Sequence, residues 1–323
     1  MTEGVVVQPD ATRAEQRSWQ RKLQLALGVV WLVDGLLQLQ PFMFTRGANG
    51  FSGMLAGTAA LTPGSVARGI SWSASLVDHH AVLLNAGFAG LQTLLGVGIA
   101  WRPTVKAALA ASVLWSLAVW WLGEGLGGVL TGNGTPLAGG PGAVLLYALL
   151  AVLLWPRRTA AMPFAAAGAI GARWAKVVWT AVWAGLAWLC VDGSGRSSDG
   201  ISQTIAGLEP GQPGWLLAID RHAASALDGR GLTVAVVAAA LCVLIGAGVH
   251  LGTAATRVAV VSAIVLAAVI WVVGENFGMI FPGGATDPNS GPLLALLAVA
   301  YWPTRTRATS PATEGAPVRL AVA

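Results

Sequence analysis

Trp120-Trp121-Leu122-Gly123-Glu124-Gly125-Leu126-Gly127-Gly128 has a second version in the same chain, Trp271-Val272-Val273-Gly274-Glu275-Asn276-Phe277-Gly278-Met279. Each version ends a long apolar run. Each leads into a Gly/Pro-rich loop, then a short apolar segment closing on Trp-Pro (Trp155-Pro156 and Trp302-Pro303), with arginines just beyond. Glu124 and Glu275 stand 151 positions apart. The same offset lays Lys106 on Arg257 and Pro141 on Pro292, while the Gly96/Gly98 and Gly246/Gly248 pairs match at 150. Matched charges and prolines at so long a period point to duplication of a whole module.

The chain around these motifs has 323 residues, of which 55% are hydrophobic and only 10% charged. Soluble domains carry about 25% charged residues, so a surface this poor in charge calls for the lipid bilayer as its solvent. Eight apolar runs follow in order: residues 23–42, 81–101, 105–122, 143–155, 174–191, 232–251, 258–273 and 292–302. Most are Ala/Leu/Val-rich and about as long as a helix needs to cross a hydrocarbon core of about 30 Å. Strand alternation is absent, which argues against a β-barrel. Two long polar segments interrupt the order, residues 45–80 and 192–230, and residues 66–77 of the first have the pattern of a short interfacial helix. The expected fold is therefore all-α: a polytopic integral membrane protein whose eight transmembrane helices form two tandem four-helix repeats in one orientation. The divisions are a cytoplasmic tail (1–22), a first repeat (23–158), a basic connector (159–173), a second repeat (174–305) and a disordered cytoplasmic tail (306–323).

Charge placement gives an orientation. With the N-terminus inside, fourteen of the nineteen Lys and Arg fall on the inner side, and Arg46, Arg68, Arg196, Arg221 and Arg230 lie outside. This positive-inside bias explains the basic pI of about 9.9 without nucleic acid as a partner. Both termini are expected in the cytoplasm, and both polar segments and both Glu motifs on the outer side. The first apolar run lacks a small-residue cleavage site and reads as an uncleaved first helix. The location expected is a bacterial plasma membrane, multi-pass. The partners expected are the bilayer and an exported or membrane protein.

Residues that could carry chemistry are few. The fourth and eighth runs are too short to cross alone, so either the Gly/Pro loops before them dip to membrane depth or the helices extend upstream into those loops. Short, interrupted segments at corresponding places in two halves point to a binding site. Glu124 and Glu275 end the third and seventh helices, where a carboxylate either binds a ligand or accepts hydrogen bonds from the following loop glycines, Gly127, Gly128 and Gly278. Asn276 follows Glu275. Asp34 lies inside the first helix, with Gln38 beyond it, and the second half has no acid at that place. Asymmetry of this kind is what a specialised single site would show. Asp78-His79-His80 could offer His79 and His80 to a metal together with Glu124 or His222, but adjacent histidines diverge on a helix. Cys190 and Cys242 form no metal or redox spacing. No phosphate loop, dinucleotide fingerprint, nucleophile elbow or H-E-x-x-H occurs.

Each half resembles the DoxX/DoxD-like membrane family in the order of its parts: a first helix, a long outer segment, then a Gly-rich second helix meeting a basic turn. These parts are Gly90-Leu91-Gln92-Thr93-Leu94-Leu95-Gly96-Val97-Gly98 with Trp101-Arg102-Pro103, and Cys242-Val243-Leu244-Ile245-Gly246-Ala247-Gly248 with Thr256-Arg257. The resemblance implies four-helix bundles and, for some members, membrane redox chemistry such as thiosulfate–quinone oxidoreduction, with quinone as the implied cofactor. Gln92 stands where many members carry glutamate, and the duplication is additional. The function expected is a non-enzymatic binding, transport or scaffold module with its working surface outside. The alternatives are a subunit of a quinone-linked redox system and a small-solute transporter with a path between the repeats.

Overall fold

The computed structural model describes residues 9–132, 134–156, 162–192 and 197–304. The expected disordered tail (306–323) lies outside them, as do residues 1–8 and part of the basic connector. Every regular element among the described residues is helical. The chain runs α1 (Pro9–Leu37), a turn α2 (Pro41–Phe44), α3 (Phe51–Ala60), α4 (Gly64–His79), α5 (Ala81–Ala100), α6 (Val105–Leu122) and α7 (Ala143–Leu153). After the short α8 (Ala167–Ile170) come α9 (Ala172–Val191), α10 (Gly200–Ala206), α11 (Gly214–Leu227), α12 (Gly231–Gly248), α13 (Thr253–Val269) and α14 (Ser290–Ala300).

Five helices are long and apolar enough to cross a membrane: α5, α6, α9, α12 and α13, the last extended by the π turn Ile270–Gly274. Three of the eight expected spans are different in kind. α1 is 29 residues long, but its first half carries Arg13, Arg17, Arg21 and Lys22, and only residues 23–37 are apolar enough for lipid. α7 and α14 have eleven residues each, about 16 Å of rise. They do not extend upstream into their loops. They form the hub instead, packing on each other and on α6 and α13 respectively, with Tyr147, Leu150, Leu153, Leu293, Leu297 and Tyr301 fully buried. The outer faces of α5, α6, α12 and α13 leave Leu83, Leu94, Leu114, Leu244 and Val258 about 60–75% exposed. Apolar faces on this scale need lipid or another protein against them.

The two halves use the same pairings. α1 lies along α5 as α9 lies along α12, and α3 pairs with α4 as α10 pairs with α11. The α3–α4 and α10–α11 hairpins are pinned alike, because the Ser52 hydroxyl donates to Asp78 (2.8 Å) and the Ser202 hydroxyl to Asp228 (3.3 Å). Asp78 therefore has a counterpart, although His79 and His80 do not. One alignment from sequence is corrected. Trp120 Nε1 donates to the Pro141 carbonyl (2.7 Å) and Trp271 Nε1 to that of Pro288 (2.8 Å). The partner of Pro141 is Pro288, not Pro292, because the second loop is four residues shorter between its glutamate and that proline.

The connector is also tighter than a basic linker. Phe164 to Ala167 are buried, and the Ala166 N–H donates to the Ala300 carbonyl (3.0 Å). On the same side Gln20 and Gln24 of α1 donate to the carbonyls of Leu154 and Trp155, closing the end of α7.

Candidate functional site

The two Glu motifs fold into an unusual turn. Gly125, Leu126, Gly127 and Gly128 have φ of 58°, 59°, 63° and 70°, and Asn276, Phe277, Gly278 and Met279 have 44°, 57°, 71° and 60°. Four successive left-handed residues cost about 1–2 kcal/mol at each non-glycine position, so other contacts must hold them. Phe277 is held by rings at 4.8–5.9 Å, those of Trp271, Trp215 and Phe281. Asn276 Nδ2 donates to Asp220 (2.8 Å). The tight reversal brings each glutamate beneath the first turn of the following short helix.

Glu275 is satisfied there. It accepts from the backbone N–H of Ser290 (3.2 Å) and Gly291 (3.0 Å) and from the Ser290 hydroxyl. Its donors are these, at the N-terminus of α14, rather than Gly278, whose N–H goes to the Glu275 carbonyl (2.8 Å). Glu124 sits in the matching place below α7 and faces the Val144 N–H. Ala143 stands where the second half has Ser290, so no hydroxyl is offered, and the buried Oε2 of Glu124 has no partner. Burial first, then the charge of Asp287, pushes the Glu124 carboxyl up to about 8. Burial likewise raises Glu275, to about 7, against the hydrogen bonds that pull it down.

Glu124 faces a cavity of about 280 Å³ between α1, α3, α4, α5 and α6. Asp34 and Gln38 reach it from α1 and Gln92 from α5, all three buried. Thr286 and Asp287 enter from the loop of the other half. That loop is anchored across the molecule by Gln40, whose Nε2 donates to the Ala285 carbonyl (2.9 Å). Asp34 Oδ1, Gln38 Oε1, Gln92 Oε1 and Glu124 Oε2 are buried without partners. The Tyr147 hydroxyl lies beside Asp34. Asp287 takes the Thr286 hydroxyl (2.9 Å) and the Asn289 N–H (2.7 Å), and its own burial raises its pKa. The rest of the lining is apolar and aromatic, including Trp31, Phe51, Trp72, Phe88 and Trp115. Met54, Trp72 and Leu76 both line it and reach the surface, which places the mouth at the α3–α4 hairpin.

Of the residues marked from sequence, Asp34, Gln38 and Glu124 come together here. Glu275 and Asn276 do not, being committed to α14 and to Asp220. His79 bonds back to the Ser75 carbonyl (2.7 Å), and His222 to that of Ala218 (2.6 Å). Among the described residues no three His, Cys, Asp or Glu side chains converge as a metal site. Asp287 and Tyr147 were not foreseen. Asp287 carried a signal nonetheless, since it is an acid in a Gly/Pro-rich loop whose first-half counterpart is Gly140. Comparison with protein-family models, with curated proteins and with solved structures finds no match to this chain.

Proposed function

We propose that this is a non-enzymatic membrane protein of two tandem four-helix units in the same orientation, and that its first unit holds a small-molecule site open to the extracytoplasmic side. Eight helices then traverse or enter the bilayer, α7 and α14 as half-spans whose loops close the outer end, with both termini in the cytoplasm. The match of element order, outer hairpins and Trp–Pro bonds supports the duplication. The split of basic residues supports the orientation. The single observation that carries the site is the set of four unpartnered buried polar atoms around one apolar cavity. Buried polar groups are normally paired, and those that are not call for a ligand, water or ion.

Depth supports the same reading. Arg21 bonds the last carbonyls of α5, Ile99 (2.8 Å) and Ala100, which supports a position near the inner boundary. Asp34 is thirteen residues further along α1, about 20 Å into a core about 30 Å thick. An acid at that depth, facing a cavity rather than lipid, is the usual mark of a working residue. The second unit serves as the buttress that delivers Asp287. A DoxX/DoxD-like origin for the four-helix unit remains part of this proposal on the order of its parts. The acidic lining favours a ligand other than a sulfur oxyanion.

Filling the cavity tests the site. Mass spectrometry of the purified full chain should find a small molecule on the native protein that Ala118→Phe, in the cavity wall, no longer carries while its melting temperature stays within a few degrees. An equal load on both proteins would remove the cavity from the proposal.

A further inference from the structure

The ligand class can be narrowed from the lining, given the site proposed above. Three carboxylates reach one cavity from three separate elements: Asp34 from α1, Glu124 from beyond α6 and Asp287 from the far loop. No Lys, Arg or His lines it. The only ion pair among the described residues is Arg221–Glu209 at the surface, so these acids are not neutralised from within. Like charges around one buried space repel unless a cation or protons intervene. Asp34 and Glu124 both line that space, and each keeps a buried oxygen without a partner. A bare metal ion is a poor match, because hard cations need about six oxygens at about 2–2.6 Å, and no three such side chains converge. The aromatic faces of Trp72, Phe88 and Trp115 are matched instead to a cation carrying an apolar body.

We propose that the cavity binds a lipophilic organic cation, with its ammonium group among Asp34, Glu124 and Asp287 and its apolar part against Trp72, Phe88 and Trp115. Its mouth beside exposed Trp72 and Leu76 admits such a molecule from the outer leaflet or interface, where amphipathic cations concentrate. Binding draws the acids toward their ionised forms and so releases protons. The groups facing the ammonium are Asp34, Glu124, Asp287 and Tyr147, with Gln38 and Gln92 uncharged at any pH. Burial pushes the Glu124 carboxyl up to about 8, so affinity for a permanent cation rises with pH between 6 and 9.

Benzyltrimethylammonium and its uncharged carbon isostere, neopentylbenzene, separate charge from shape. Binding to the purified full chain is followed by tryptophan fluorescence and by calorimetry. The expected result is saturable binding of the cation, weaker by about tenfold or more in Asp34→Asn and in Asp287→Asn, and absent in Ala118→Phe. The isostere binds at least about tenfold more weakly to the native chain. The rise of cation affinity with pH disappears in Glu124→Gln. Equal binding of both probes to the native chain, unchanged by either asparagine variant but lost in Ala118→Phe, overturns the cation class and leaves the cavity as a site for neutral molecules. Absence of saturable cation binding, or equal binding to the native chain and Ala118→Phe, overturns both.

Discussion

One hydroxyl separates the two glutamates. Ser290 gives Glu275 its third hydrogen bond, while Ala143 leaves the Glu124 Oε2 without a partner. The duplicated carboxylate is thus a helix cap in one half and a cap with a spare oxygen in the other. Glu275→Ala strands the Ser290 and Gly291 donors and should lower stability by about 1–3 kcal/mol. Glu275→Gln, which still accepts, should cost less than half of that, as thermal melts in detergent will show. The pH dependence has a definite sign. The folded-state pKa of Glu124 is raised by burial to about 8, so its contribution is fully present below the unfolded value near 4.5 and is lost as pH rises through about 8. The melting temperature should fall between pH 5 and 8.5, and Glu124→Gln should flatten that fall. A steeper fall in the variant would contradict the assignment. Glu124 and Glu275 were legible as a pair because the repeat exposes them. Their different fates were not, since they depend on residues 19 and 15 positions away that meet them only in the fold.

At the scale of elements, the left-handed turns are what place the glutamates. A Cβ on Gly127 would lie 1.9 Å from the Pro141 carbonyl oxygen, a backbone atom that is itself fixed by Trp120. Gly127→Ala should therefore destabilise the first half by about 1–3 kcal/mol or prevent the loop from closing. Leu126→Gly, at φ 59°, should act oppositely and raise the melting temperature, because the side chain is only half-buried and its left-handed strain is relieved. Comparison of the two melts checks both. The glycines hinted at such a turn, but Leu126, Asn276, Phe277 and Met279 gave no sign of it. L-residues disfavour this conformation locally, and only contacts such as Phe277 with Trp271 and Asn276 with Asp220 compensate. The short helices are a similar case. Their length was readable in residues 143–155 and 292–302, whereas their place at the hub was not, because a fully apolar helix has no polar face to reveal which side is buried.

Across the whole molecule, the loops trade sides. Leu137 of the first loop packs on Gly274, its carbonyl oxygen 2.7 Å from where a Cβ would be, while Ala285 to Asp287 of the second loop close over α1. The first half thereby gains an acid and a cavity, and the second gains a leucine. Hydropathy recorded the apolar helices in their order, because each is a local run in the sequence. It could not record this exchange, which joins segments about 250 residues apart. The proposed arrangement has both units parallel in the bilayer with the cavity outside, and it is most directly tested by impermeant maleimide labelling in intact cells. Single cysteines at Ala48, Arg102, Ser198 and Thr253, in a chain whose Cys190 and Cys242 are replaced by alanine, mark the outer and inner ends of both halves. Ala48→Cys and Ser198→Cys should label in intact cells, and Arg102→Cys and Thr253→Cys only after permeabilisation. Labelling of Thr253→Cys but not Ser198→Cys from outside would show the halves inverted and contradict the arrangement.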